Sequence, residues 1–509
     1  MQSINLSLEE TAAQCIFPRL DIPKYLSDLS YQSKINGLVN RGIGGFCIFG
    51  GNKYSASRTI GMLQDLSALP LLFCADFEHG LAMRLSDGTS FPQAMALGQT
   101  DSETVYQTSK KIANEAKSIG IMWNLAPVCD INSNSKNPII NIRSFGEDAE
   151  SVSMFCNAYI KGTQDEGILS CAKHFPGHGD TEVDTHLGSA ILKNSLQSLN
   201  KTELIPFKNA INTEVSSIML GHLAVPAIDS EGIPCSVSEK TVDFLRNELG
   251  FKELIVTDAL DMKAITNSYN SAEATIKAIS AGTNVALMPE DPVLALDGLI
   301  AAAKGNPTIA QKLIDSAEMI IQKKKWCALF NRRIPATSET SIDENENEQF
   351  AFITASKAIE LKDPKSILPI KDNQQIAAFA VLQDEEIEPA SFFFKLLAQV
   401  MENDVDFGFI DSSINTEHLE SLKTGISGAD LIIFALFYRA KAYSGSIETD
   451  ERINTIIKEL SEGKQSVAVL LGNPYLLDKI TCDAYLRTFS NTTPSIAASV
   501  LRLAGRDVL

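Results

Sequence analysis

Along the first three hundred positions, short apolar runs alternate with longer stretches in which apolar residues recur at helical spacing. The runs fall near 12–17, 44–50, 71–76, 123–127, 170–175, 216–223, 254–260 and 283–289, and each has the length and composition of a buried strand. Amphipathic helical patterns separate most of them, for example at 101–120, 151–166, 237–249 and 271–281. The stretch SEKTVDFLRNELGF opens with a Ser and a capping-type Glu and closes with a Gly, as a helix does. Strands that alternate with helices predict a parallel sheet. Eight of them within about 300 residues predict an α/β fold, a (β/α)8 TIM-type barrel, over residues 1–325.

Beyond Lys325 the pattern changes. NRRIPATSETSIDENENEQ carries Pro, Ser, Thr and an acidic cluster, which predicts a surface linker over 326–348. A second series of strands is expected at 376–382, 405–411, 430–438, 466–471 and 484–489. It predicts a smaller α/β sandwich domain over 349–509. No GxGxxG follows its first strand, so a dinucleotide function has little support. Internal repeats and low-complexity tracts are also lacking.

Composition narrows the classes of partner. The net charge is −19, which repels nucleic acid and anionic membrane surfaces, so neither is expected as a partner. The longest apolar stretches, such as LIIFALF at 431–437, are too short to span a bilayer. The first residues lack the basic, apolar and small-residue succession of a signal peptide, and a cytoplasmic location is expected. Nine cysteines, an odd number without a CxxC, are expected to be small buried hydrophobes in a reducing compartment.

The candidate chemistry gathers at the predicted strand ends. Of six histidines, 79, 174, 178, 186 and 222 fall at the C-terminal ends of predicted barrel strands or in the loops after them, the face on which barrel enzymes build their sites. The densest stretch is CAKHFPGHGDTEVDTH, 171–186. A strand delivers Lys173 and His174, and Pro176, Gly177 and Gly179 predict turns and a mobile loop. The loop ends in Asp184 and His186, where a carboxylate could hold an imidazole suited to moving protons near neutrality. The same groups, with His174 and His178, are also metal-ligand types. His178 reads as a residue that structures the loop.

Further on, LIVTDALDM at 254–262 ends a strand in Asp258. A carboxylate there can attack an anomeric carbon and leave as a glycosyl ester, or it can cap a following helix. Asp261 is the alternative carboxylate, three positions beyond the strand end. In LLFCADFEHGLAMRL, Asp76 ends a strand and Arg84 follows; the two could bind sugar hydroxyls and acyl oxygens or form a structural ion pair. Arg143 in NPIINIRSFGED is either a binding residue or a surface arginine. His222 in IMLGHL is either a contact residue or a satisfied buried histidine.

Taken together these stretches resemble glycoside hydrolase family 3, in its bacterial β-N-acetylglucosaminidase branch. The resemblance rests on KHFPGHGD and DTH at 173–186, FPQAMALG at 91–98, APVCDIN at 126–132, NPIINIRSFG at 137–146 and VTDALDM at 256–262, in that order, and more loosely on LLGNPYLL at 470–477. It implies a retaining hydrolase of terminal β-linked N-acetylglucosamine in muropeptide or chitin-type glycans, with a carbohydrate substrate and no metal or cofactor. It implies Asp258 as nucleophile, His186 as acid/base with Asp184 as its partner, and Asp76, Arg84, Arg143, Lys173 and His174 as the grip on the sugar. A phosphorylase and a non-catalytic sugar-binding protein are the other classes. The chain departs from the family pattern at Glu78-His79-Gly80, where the family usually has Glu-Gly-Gly, and near Ala190, where a Pro usually follows DTH.

Overall fold

The structure is a computed structural model that describes residues 6–181, 190–331, 343–383, 386–401, 405–411, 413–439 and 451–506. They form two compact units. One comprises residues up to 89, 105–133 and 147–343; the other comprises 90–104, 134–146 and the residues from 344 onward.

In the first unit the strands are β1 (Ile16–Phe17), β2 (Arg19–Asp21), β3 (Gly45–Phe49), β4 (Leu72–Ala75), β5 (Trp123–Asn124), β6 (Ala172–Phe175), β7 (Ala190–Ile191), β8 (Ser217–Leu220), β9 (Leu223–Ala224), β10 (Leu254–Thr257) and β11 (Ala286–Leu287). Parallel pairing links β2–β3–β4–β5, β6–β8–β10 and β11–β1. Single bridges join the first two groups, Trp123 to Leu169 and Val128 to Lys173, and Val256 to Val285 carries the ring on to β11. The last closure is made by β1 and β2, which are two halves of one run divided at Pro18. Proline has no N–H to give a ladder, but its carbonyl accepts from Cys47 N at 2.9 Å, while Phe17 O accepts from Met288 N at 2.8 Å. One half therefore pairs with β11 and the other with β3, and the ring closes as the expected barrel. β4, β6, β8 and β10 are buried at every position, as strands between a filled interior and an outer layer of helices must be.

The first strand lies later than its pattern predicts. Ala12–Gln14 belong to the helix Leu8–Gln14, whose Ser7 and Glu10 form a reciprocal capping box. Satisfying two of the helix's orphan N–H groups at once draws the apolar start of the run into the helix. The other patterns stand close to expectation as helices Ser102–Ser118, Ala149–Asp165 and Ser271–Ala281. The stretch from Ser238 is helical but irregular: Ser238 caps Glu239–Asp243, and Phe244–Glu248 is wound more loosely as a π-helix.

The second unit holds β12 (Glu360–Lys362), β13 (Ile376–Leu382), β14 (Val405–Ile410), β15 (Leu431–Tyr438), β16 (Gln465–Gly472) and β17 (Ala484–Arg487) in one sheet, ordered β12-β17-β16-β15-β13-β14. All pairs are parallel except β12–β17. Alternate residues feed separate cores, Ile376, Ala378 and Ala380 on one face and Ala377, Phe379 and Val381 on the other. The helix Glu344–Ala358 begins inside the acidic stretch read as linker, and carboxylates in a first helical turn suit the helix dipole. The contribution of 90–104 and 134–146 to this unit has an apolar cause: Met95, Ala96 and Ile142 pack with Ala358 and Phe489. Among the described residues no helix is long and apolar enough to cross a membrane; LIIFALF forms β15.

Lys324, on the helix Pro307–Trp326, is fully buried and donates to Gln14 Oε1 at 2.6 Å. Gln14 precedes β1, so the pair sits at the opposite end of the ring from the candidate site. Burial pushes the ammonium down to about 7, against a small opposing pull from Cys15. An unfolded lysine holds its proton to about 10.4. Between those values the unfolded chain binds more protons, so stability rises with pH by up to about 1.4 kcal/mol per pH unit. Thermal unfolding at pH 6.5 and 9 should show this gain, and Lys324→Met should remove most of it; an equal gain in the variant would assign the effect to other groups.

Candidate active site

Parallel strands present their C-terminal ends on one face of the ring. Asp76 follows β4, Lys173 and His174 lie in β6, His222 stands between β8 and β9, and Asp258 follows β10. The strand geometry thus brings these sequence-predicted groups to a common mouth.

Lys173 is 2% exposed, and a buried ammonium is tolerated only where it is paired. Its Nζ donates to Asp76 Oδ1 at 2.9 Å and to Glu78 Oε1 at 2.7 Å. Arg84 Nη2 donates to the other Asp76 oxygen at 2.7 Å. Burial works to raise the Asp76 carboxyl, but Lys173 and then Arg84 overcome it and hold it well below the usual carboxylate range. The Arg84 guanidinium also lies over the Phe49 ring, 4.7 Å from its centre, and Arg19 lies 4.0 Å from the same ring.

Glu78 is a site carboxylate that the reading of single residues passed over. Its position was legible: a lysine buried in a strand needs more than one acceptor, and Glu78 stands two residues beyond Asp76. The turn that carries it is anchored from beneath. Asn124 accepts from Phe77 N at 3.0 Å, Tyr159 OH donates to Phe77 O at 2.8 Å, and Met83 Sδ accepts from Glu78 N at 3.1 Å. His79, the departure from the family pattern, is half-buried in that turn.

The β6 end is irregular. The peptide bonds Lys173–His174 and Phe175–Pro176 are cis, and pairing with β8 shifts register between Ala172 and Phe175. Gly177 N donates to His174 O at 2.8 Å, closing the turn. Gly179 serves close approach rather than bending: a Cβ there would lie 1.6 Å from Ile131 O. Asp130, fully buried in the loop after β5, accepts from His174 N at 3.1 Å, from His174 Nδ1 at 2.7 Å and from His178 N at 2.7 Å. His178 is buried, and its Nδ1 shares a 2.7 Å hydrogen bond with Thr181 Oγ1. Burial pushes this imidazole down to about 4, against the pull of the Asp130 and Asp258 carboxylates, so His178 is neutral at physiological pH.

Asp258 leaves β10 with its N–H donating to Leu220 O of β8 at 2.9 Å. Its Oδ1 accepts from Ala259 N at 2.8 Å. It caps no helix: the next one, Lys263–Thr266, starts after Met262 without a side-chain cap. His222 is satisfied at both nitrogens, Nδ1 with Ser236 Oγ at 2.7 Å and Nε2 with Ala259 O at 2.8 Å. Because a carbonyl only accepts, Nε2 carries the proton and grips the peptide next to Asp258. The Asp261 carboxyl is half-buried; burial raises it, Arg19 lowers it and Asp258 raises it further.

Asp184 and His186 lie outside the described residues. Arg143 belongs to the second unit, in the turn Asn141–Arg143, where its Nη1 donates to Ile139 O at 3.2 Å. Ala190 pairs with Leu223 in the small β7–β9 ladder. Among the described residues no three His, Cys, Asp or Glu side chains converge as a metal site.

Known proteins resemble this chain in sequence and in fold. The chain is 31% identical over 379 residues to beta-hexosaminidase A of Pseudoalteromonas piscicida, covering 67% of this chain and 63% of that protein. It is 28% identical over 370 residues to a beta-N-acetylglucosaminidase/beta-glucosidase of Cellulomonas fimi, covering 70% and 64%. The matches thus span just under two thirds of the length of these curated relatives. A glycoside hydrolase family 3 beta-N-acetylglucosaminidase from Paenibacillus sp. superposes with a TM-score of 0.87 at 25% identity, over 99% of this chain and 98% of that one. Residues 9–323, which carry every strand of the barrel, match the glycosyl hydrolase family 3 N-terminal domain, and the chain belongs to that family.

Proposed function

We propose that the protein is an exo-acting, retaining β-N-acetylglucosaminidase that removes terminal β-linked N-acetylglucosamine from muropeptide or chitin-type glycans. The observation that carries this reading is a carboxylate at a strand end, Asp258, on the ring face that also bears the Lys173–Asp76–Arg84 network. The names of the relatives and of the superposed structure support the same substrate class.

In the proposed reaction Asp76, Arg84, Lys173 and His174 hold the terminal sugar. Protonated His186 gives its proton to the glycosidic oxygen as the bond to the anomeric carbon breaks. Asp258 attacks that carbon from the opposite face and forms a glycosyl ester. His186, now neutral and oriented by Asp184, takes a proton from water, and the water oxygen displaces Asp258. Two inversions return the original configuration.

Water is favoured over phosphate as acceptor by the charge balance around Lys173. Its ammonium is met by two carboxylates, one of them shared with Arg84, so this part of the site offers little net positive charge to an entering anion. We also place the enzyme in the cytoplasm, in peptidoglycan recycling. Nine free cysteines, eight of them buried, suit a reducing compartment.

Two measurements test this reading. The purified protein should release nitrophenol from nitrophenyl β-N-acetylglucosaminide much faster than from the β-glucoside, because a site built for polar groups rejects a sugar that leaves them unpaired. Equal rates on both would remove the substrate assignment. His186→Ala should slow poor leaving groups by about 10²–10⁴-fold, the usual worth of general acid help, and good ones far less. A loss that is uniform across leaving groups would contradict proton donation by His186.

A further inference from the structure

The loop after β5 brings a carboxylate to the site that no step of the proposed reaction uses. Asp130 is fully buried. Burial works to raise its carboxyl, but His174, and after it His178, hold it below the ordinary range. It is therefore ionised at neutral pH, and an ionised carboxylate only accepts hydrogen bonds.

Its oxygens serve two purposes. Oδ1 accepts from His178 N at 2.7 Å, and His174 N is shared between Oδ1 at 3.1 Å and Oδ2 at 3.2 Å, which ties both ends of the turn through Pro176 and Gly177 to one carboxylate. Oδ2 meets Nδ1 of the His174 ring at 2.7 Å. Since Oδ2 has no proton to give, Nδ1 must carry one. The tautomer of His174 is thereby fixed from outside the ring. Nε2 is left as an acceptor on the neutral ring, or as a second donor on the charged one. Which nitrogen carries the proton is set by the partner of the other, a general property of histidine sites.

We propose that Asp130 is a positioning residue: it sets the tautomer of His174 and clamps the 174–178 turn, so that Nε2 is the nitrogen offered to the sugar. The part that concerns the sugar rests on the proposed function; the part that concerns the tautomer does not. Other charged or titratable groups close to this pair are Lys173, next to His174 in the chain, Cys129, next to Asp130, and His178, whose ring stands edge-on to His174 with centroids 6.1 Å apart.

Asp130→Asn separates positioning from simple turn anchoring. The amide oxygen should stay at the Oδ1 position, which the short bond from His178 N favours and His174 N can also reach. The amide NH₂ then replaces Oδ2 and points a proton at Nδ1. His174 can answer only by moving its own proton to Nε2. The turn keeps its anchor while the ring reverses its donor and acceptor.

The experiment uses full-length protein labelled with ¹⁵N-histidine, with the His174 signals assigned through a His174→Gln variant. In the wild type Nδ1 should be the protonated nitrogen, and in Asp130→Asn it should be Nε2. The variant should also raise KM for nitrophenyl β-N-acetylglucosaminide by about tenfold, the scale of one mispaired hydrogen bond, with a smaller effect on kcat. A bare Nδ1 in the wild type would overturn the proposal without any variant. An unchanged tautomer in a folded Asp130→Asn protein, or a switched tautomer with unchanged KM, would overturn it as well. Absence of wild-type activity on this substrate would instead count against the proposed function, and the nitrogen signals would still decide the role of Asp130.

Discussion

Lys173 carries its charge inside the barrel mouth, where water barely reaches it, and the neighbouring groups are arranged to make that possible. Removing one partner from a buried ion pair costs about 3–5 kcal/mol, so Asp76 and Glu78 cannot be treated as independent of the lysine. Asp76 in turn fixes Arg84, and Arg84 packs on Phe49 at the end of β3. The turn bearing Glu78 is fastened to Asn124 of β5 and to Tyr159 of an outer helix. A polar network of this kind is held rigid because its charged groups are paired with one another. It can offer a ligand fixed donors and acceptors, with little reorganisation when the ligand arrives.

The closed parallel ring gives that network its address. Splitting the first strand at Pro18 lets one run pair on both sides, and closure forces all strand ends to one face. Asp258 reaches that face through backbone bonding to β8. His222, coming from the end of β8 itself, holds the carbonyl of Ala259. Two neighbouring strands thus fix the backbone on either side of the proposed nucleophile, itself half-buried. Rigid support beneath a partly open reactive group is what a covalent mechanism needs.

Much of this was legible in the chain. Helix and strand periodicities gave the barrel and the sheet of the second unit, because apolar runs bounded by Gly, Pro and polar residues have few other uses. Some of the misses have local causes and others long-range ones. A capping box at Ser7 and Glu10 outweighed the apolar run that follows it. β12 was invisible because all three of its residues are exposed, leaving no alternation to read. Residues 90–104 and 134–146 fall within the stretch expected to form the barrel domain, yet they belong to the later sheet unit, a long-range choice that no local pattern records. Among the site residues, those in strand-end motifs were readable. Asp130 was not: its carboxylate gains meaning only when His174 and His178, more than forty positions away, are folded onto it.

The central claim is that Asp258 forms a covalent bond to the sugar. A fluorinated N-acetylglucosaminyl fluoride, whose glycosyl ester forms faster than it hydrolyses, should trap that bond. Mass spectrometry of the inactivated protein should then show one added sugar, and peptide mapping should locate it on the peptide that contains Asp258, at Asp258 itself. An adduct on Asp261 or another residue would contradict the account, as would undiminished turnover with no adduct under conditions in which the fluoride is consumed.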